Sequence, residues 1–298
     1  MYPAVIQSPL GGGPAKLVET RPVAPIVQSY CEAYGYDPSD DFGGVNEIAV
    51  YECAATGYRF YFPYMLEGKA GLYSGLQHGD YYEDTKWEHE TIIARIPEGA
   101  SILDVGCGAG AFLAKAKAKT QDVTGLELTH ASAERARQSG LAVLEIPIGQ
   151  HGQQHDVVTA FQVLEHVADP LAFLNDCLAA LKPGGMLAIA VPNNASFLRF
   201  CPDMPLNQPP HHMGLWTDES LAQLASLLPM ELISIEREPL RQLDWYQQIM
   251  ERRYLPKRWQ RSLYYRLGGA SIFKRFIAEN AGSIAGHTVI ACFRKDAP

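Results

Sequence analysis

Residues 102–113 read Ile102-Leu103-Asp104-Val105-Gly106-Cys107-Gly108-Ala109-Gly110-Ala111-Phe112-Leu113. A short apolar run enters a glycine cluster and leaves as a helical pattern. That is a strand, a tight turn and a helix N-terminus. Glycines in such a turn let the backbone take positive φ and let a ligand approach without meeting a Cβ. The orphan N–H groups of the helix start then face whatever binds there. Asp104 adds an acid near the strand end. The spacing is GxGxG, which departs from the GxGxxG of nicotinamide-binding turns. A second acid, Glu127, follows Gly110 by 17 positions and closes the apolar run Val123-Thr124-Gly125-Leu126. An acid at that place can accept hydrogen bonds from both hydroxyls of a ribose.

Two further segments follow in order: Asp156-Val157-Val158 opens another apolar run, and Leu181-Lys182-Pro183-Gly184-Gly185 precedes the next. Together with the glycine turn and Glu127, this set resembles the class I S-adenosylmethionine (SAM) methyltransferases. The resemblance implies an α/β, Rossmann-like, doubly wound fold with a mostly parallel seven-stranded sheet. It implies SAM as cofactor and S-adenosylhomocysteine as product. Carried over residue by residue, it assigns the cofactor site to Asp104, Gly106, Cys107, Gly108, Gly110, Glu127 and Leu128. Pro147 and Ile148 fall where the family makes backbone contacts to the adenine, and Gln162, Val163 and Glu165 where it lines the methionine end. The family's usual acid beside the adenine is missing, which leaves N6 recognition to Gln150 or water.

The rest of the chain is read around this core. At 298 residues it can bury a full core with additions. Prolines 3, 9, 22 and 25 and the run Gly11-Gly12-Gly13-Pro14 mark residues 1–25 as an arm without regular structure. Alternation over 46–63, divided by Ala54-Ala55-Thr56-Gly57, predicts a hairpin. Residues 1–86 form an N-terminal extension and 87–240 the cofactor-binding core. Alternating strands and helices from Ala100 argue for helices on both faces of a parallel sheet. Asp169-Pro170 caps a helix over 170–181 whose leucines recur at helical spacing, and Gly184 and Gly185 stop it. Residues 241–286 are a helical cap insertion, and 287–298 hold the last strand of the core.

Six cysteines are scattered without a CxxC pair, so neither a disulfide framework nor a metal site is expected. No apolar run reaches the length of a membrane span, and no signal pattern opens the chain, so the reading is a cytoplasmic protein. The net charge of −8 argues against nucleic acid as partner. The charge is uneven: Arg241 to Arg275 holds nine Lys/Arg and two Asp/Glu, while the remainder carries −15.

Methyl transfer from a sulfonium is an in-line displacement that needs positioning, exclusion of water and, for a hydroxyl acceptor, a base. His211 and His212 lie in a loop of about 25 residues leaving a strand's carboxyl end, where ligands bind in open α/β sheets. They are the leading catalytic candidates, with His166 third. His89 opens an exposed-looking helix and is given no role. Tyr82 is placed over the sulfonium as a cation–π lid, against the plainer reading of packing on the sheet. The acceptor is a small polar molecule, a sugar, nucleotide-sugar or natural-product intermediate methylated at oxygen. Carbon or nitrogen methylation, and a non-catalytic SAM sensor, stand as alternatives. The uneven charge leads to reading the basic insertion as a cap that pairs an anionic acceptor; an anionic membrane surface is set aside here, because the sequence shows no obvious single apolar face bounded by charge. A homodimer is compatible with all of this.

Overall fold

The computed structural model describes residues 1–68, 72 and 86–297. The strands are β1 (Val5–Gln7), β2 (Pro14–Pro22), β3 (Glu47–Cys53), β4 (Arg59–Phe62), β5 (Ile102–Val105), β6 (Val123–Leu126), β7 (Ala142–Leu144), β8 (His155–Phe161), β9 (Leu181–Pro192), β10 (Gly214–Leu215), β11 (Met230–Pro239) and β12 (Ala285–Lys295). The α-helices are α1 (Val23–Tyr34), α2 (Trp87–Ile93), α3 (Ala111–Ala116), α4 (His130–Gln138), α5 (Pro170–Ala179), α6 (Asp218–Ala222), α7 (Leu243–Tyr254), α8 (Arg258–Arg266) and α9 (Gly269–Asn280).

Seven strands form one sheet in the order β11-β12-β9-β8-β5-β6-β7. The pairings from β9 through β7 are parallel, and β12 runs antiparallel to both its neighbours. The order turns back beside β5 and β8, and the crevice at such a reversal is where open α/β sheets bind ligands. The central strands are apolar on both faces: all four residues of β5 are buried, as a sheet covered by helices on both sides requires.

Two local expectations give way. Residues 1–25 are not a loose arm, because β1 and β2 pair as a hairpin and β2 continues onto β3. The glycine run is the hairpin's turn, where Gly11 N–H donates to Ser8 O at 3.0 Å and Ser8 N–H to Gly13 O at 2.9 Å. Pro14 and Pro22 stand only at the ends of β2, and Pro25 lies in the first turn of α1, positions where a missing N–H costs little. Gly184 and Gly185 do not stop α5. That helix ends at Ala179 with Ala180 as its C-cap, and β9 has already begun at Leu181, paired with His155. The β3–β4 hairpin belongs to a larger antiparallel sheet, β1-β2-β3-β4-β10, with β10 contributed from the far side of the core.

That last pairing positions the site. Gly214 and Leu215 pair with Phe60 and Arg59, so the long loop after β9 is stitched to the N-terminal sheet. Trp216, fully buried, follows at once and lies 4.1 Å from the Tyr58 ring. Thr217 then starts α6 with a capping box to Ser220.

Candidate active site

The turn after β5 is spliced onto the end of β6. The Gly106 and Cys107 N–H groups both donate to Leu126 O, at 2.7 and 3.0 Å. Gly106 has φ +71, and a Cβ on it would lie 2.5 Å from Val163 Cγ2. Gly110 is constrained by packing, since its Cβ would lie 2.2 Å from Leu141 Cδ1. The Cys107 side chain joins the core with Phe112 and Leu113, and burial pushes its thiol well up. Of the residues assigned to the cofactor, Cys107 therefore has only its backbone to offer.

Glu127 stands at the carboxyl end of β6. Its Oε2 accepts from Gly108 N–H at 3.0 Å and its Oε1 from Thr129 N–H at 2.6 Å, which fixes the carboxylate at the edge of the turn. Leu128 beside it is exposed, Pro147 is exposed, and Ile148 is buried at the start of a short 3₁₀ turn. Asp104 is buried at the end of β5 and accepts from Thr159 Oγ1 at 2.7 Å. Burial raises its pKa from 3.8 to about 7; the Glu127 charge adds to this, while the Thr159 hydrogen bond and Lys86 oppose it.

At the end of β8 the chain bends sharply. Gln162 takes φ +56, the one left-handed residue other than glycine among the described residues. Such strain persists only where surrounding contacts hold it. Here the Gln162 N–H donates to Ala190 O at 2.7 Å, and its Nε2 to Glu88 Oε1 at 3.1 Å. Val163 then fills the space that Gly106 leaves.

Glu165 and His166 follow and meet the long loop. The Glu165 carbonyl accepts from the Met213 and Gly214 N–H groups at 2.7 and 2.9 Å. Its carboxyl is buried, Oε2 has no hydrogen-bond partner among the described residues, and burial raises its pKa to about 8. His166 Nδ1 donates to His211 O at 2.6 Å, His211 Nδ1 to Leu206 O at 3.0 Å, and His212 Nδ1 lies 3.2 Å from Asn207 Oδ1. Asn207 is itself oriented by its Nδ2, which donates to Asn194 Oδ1 at 2.7 Å. The His166 ring stands edge-on to His211 and His212, at 4.6 and 4.8 Å between centroids. Burial lowers the pKa of His166 to about 4 and holds His211 and His212 well below the ordinary 6.5. The three imidazoles are therefore neutral, and a hydrogen held on Nδ1 places the lone pair on Nε2. One ring nitrogen from each lies within 4.8 Å of the others, a donor set of the kind that can hold a divalent transition ion.

The N-terminal sheet and α1 hold this loop in place. Tyr61 OH donates to Asn207 O at 3.1 Å, Tyr30 OH to Gln208 O at 3.0 Å, and Arg21 Nη1 to Pro202 O at 3.0 Å. Sequence reasoning also missed several residues of the mouth. Lys86 places a positive charge that acts on Asp104, Glu165 and His166. Glu88, Asn193 and Glu238 are buried polar groups, and His287 a half-buried one, at the same end of the sheet or on α2. His89 is not exposed: it packs between Phe112 and Phe161, at 5.5 and 5.4 Å, because α2 turns Glu88, His89 and Ile92 inward. Tyr82 lies outside the described residues.

The residues present fit SAM. A turn with a close backbone approach stands next to a fixed carboxylate suited to a ribose, and a buried acid suited to a cation lies behind it. The sheet order and this glycine–acid site define a class I SAM-dependent methyltransferase domain. Residues 80–234 match the methyltransferase-domain family, and the chain belongs to it. Among curated proteins it is similar to the ubiquinone biosynthesis O-methyltransferase of Actinobacillus pleuropneumoniae serotype 7, 36% identical over 110 residues, 32% of this chain and 47% of that protein. The corresponding protein of Vibrio vulnificus is 40% identical over 98 residues, 29% of this chain and 41% of that protein. The similarity thus spans less than half of either relative's length. Among solved structures, a SAM-dependent methyltransferase from Thermotoga maritima, described as a possible histamine N-methyltransferase, aligns at a TM-score of 0.47 and 16% identity, covering 70% of this chain and 87% of that one. The SpnF [4+2]-cyclase aligns at 0.46 and 17% identity, covering 73% and 86%.

Proposed function

We propose that the protein is a cytoplasmic O-methyltransferase that methylates a hydroxyl of a small polar acceptor, such as a sugar, a nucleotide-linked sugar or a natural-product intermediate. The observation that carries this reading is the trio of neutral imidazoles, His211 and His212 buried and His166 half-buried, at the carboxyl end of the sheet. SAM, when bound, supplies an electrophilic methyl group, so the protein's task is to hold, orient and dry the two reactants. Glu127 and the turn hold the ribose, and Asp104 and Glu165 offer buried carboxyls toward positive charge. A lone pair on His211 or His212 accepts the acceptor's proton as the hydroxyl oxygen becomes a nucleophile. Tyr30, Tyr61 and Arg21 act through the loop and are positioning residues. The curated relatives named above are O-methyltransferases, which supports oxygen as the acceptor atom.

The test is incubation with methyl-labelled SAM and a panel of hydroxylated acceptors or a cell extract, followed by identification of the labelled product. His211→Ala and His212→Ala should keep SAM affinity and lose turnover by about 10²–10⁴. Near-normal turnover in both variants removes the loop from proton transfer. Tight SAM binding with no acceptor labelled defeats the enzymatic reading.

A further inference from the structure

Helices α7, α8 and α9 are inserted between β11 and β12. Pro239 pairs with Ala285, and Thr288 pairs with Pro192. The insertion therefore leaves the sheet at the carboxyl end of β9, the same end as the active site. Its inner side is anchored: Ile249, Met250 and Ile277 are buried in a cluster with Phe197 and Leu198.

The outer side is uncovered. Seven of the fifteen large apolar side chains exposed among the described residues fall within 254–276. Helix α8 buries no residue at all. Trp259, Leu263 and Leu267 recur every fourth position, one stripe along α8 and its end, exposed by 63%, 47% and 72%. On α9, Ile272 and Phe276 form a second exposed stripe, at 70% and 56%. Large apolar side chains exposed at this density and rimmed by charge mark an interaction site.

The charge around it selects the occupant. Lys257, Arg258 and Arg266 flank the α8 stripe and are exposed. The ion pairs of the insertion go elsewhere, Lys274 to Asp244 and Arg275 to Glu279. Lys257, Arg258 and Arg266 have no acidic partner among the described residues. A second copy docking the same face would bring two strongly basic segments together. An anionic bilayer answers both features at once, since its headgroups take the Lys and Arg while its acyl boundary takes Trp, Leu, Ile and Phe. The remaining −15 of the chain is repelled by the same surface, so only this face can approach it.

We propose that α8 and α9 form a peripheral docking surface for anionic lipid membranes, with Trp259, Leu263, Leu267, Ile272 and Phe276 entering the interface. No helix among the described residues is long and apolar enough to cross a membrane, so the contact is interfacial. It also places the active-site mouth near the lipid surface.

The experiment is co-sedimentation of the full chain with vesicles of phosphatidylcholine alone and of phosphatidylcholine with phosphatidylglycerol. It needs no acceptor and does not depend on methyl transfer. Binding is expected to the anionic vesicles only, and to weaken with salt. Lys257→Gln, Arg258→Gln and Arg266→Gln together should lower partitioning about 100-fold, at roughly fivefold per charge. Trp259→Ser, Leu263→Ser, Leu267→Ser, Ile272→Ser and Phe276→Ser together should abolish binding. SAM affinity by calorimetry should be unchanged in both variants, which shows that they are folded. Failure of the wild type to bind either vesicle, equal binding to both, or binding untouched in both variants overturns the proposal. So does an oligomer that the serine variant breaks while vesicles are ignored, which would make the face an interface between copies of this chain.

Discussion

Asp104 gives the sharpest test of the site's electrostatics. Its carboxyl is buried at the end of β5, and its pKa stands at about 7 instead of 3.8. That gap corresponds to about 4 kcal/mol, an order-of-magnitude cost of ionising the group in the folded protein. The folded chain holds a proton that the unfolded chain gives up. Stability from this group is thus fully present below about pH 4, falls as pH rises to about 7, and is lost above that. Asp104→Asn keeps an oxygen to accept the Thr159 hydroxyl, now at 2.7 Å, and cannot ionise. Its amide hydrogens enter a poorly solvated place, which costs about 1–3 kcal/mol at all pH values.

The two stability curves should therefore cross. Near pH 4 the wild type should be the more stable. Near pH 8 the variant should match or exceed it by about 1–3 kcal/mol, the balance of the two terms. Urea unfolding across this range measures both curves. Glu165 and Glu238, whose pKa values burial also raises, shape both equally and cancel in the difference. Saturating SAM, a cation, should flatten the wild-type curve by favouring the ionised carboxylate. A difference between wild type and variant that does not change with pH would refute the argument, because it would show that Asp104 titrates alike in both states.

Three other outcomes follow from single contacts. Gly106→Ala should cost about 1–3 kcal/mol and weaken SAM binding, and Val163→Ala should recover part of the packing loss; additive effects in this double-mutant cycle would show that the 2.5 Å approach is not the constraint. Tyr61→Phe removes the hydrogen bond to Asn207 O and should cost about 1 kcal/mol of stability. It should lower kcat with SAM affinity unchanged; unaltered kcat would mean that the loop holds its histidines without it. Trp216→Ala should destabilise by about 3–5 kcal/mol in thermal or urea unfolding, since it empties a fully buried site against Tyr58.

What the sequence made legible is what short-range chemistry encodes. The β5 turn, Glu127 and the parallel core announce themselves within windows of a few residues, and these elements formed as read. Strands β1 and β2 did not, because the number of prolines in residues 1–25 speaks against regular structure while their places do not. Pro14 and Pro22 sit at strand ends, and β2 is completed by β3, some thirty residues on, which no local window contains. The Leu181–Gly185 segment misled for a related reason: backbone pairing with β8 outweighed the helix-stop signal of its glycines.

The histidines show where such reading ends. Their position at the sheet's mouth could be inferred from a long loop leaving a strand. Their protonation could not, because it depends on partners scattered from residue 86 to residue 287. A histidine met in sequence invites an ordinary pKa near 6.5, suited to act as a base at neutral pH. Burial in a three-ring cluster takes His166 to about 4 and holds His211 and His212 well below 6.5, so each is a weaker base than its type suggests. A weak base gives most in a transition state where the proton moves late, after the acceptor oxygen has begun to bond. If the imidazoles take the proton as proposed, then among the acceptors named above a natural-product intermediate with an acidic hydroxyl, a phenol or an enol, should react faster than the simple alcohol of a sugar. Comparing labelled-methyl transfer to a phenolic and an aliphatic acceptor of similar size would decide it, and a preference for the aliphatic hydroxyl would show that the imidazoles are not the proton's destination.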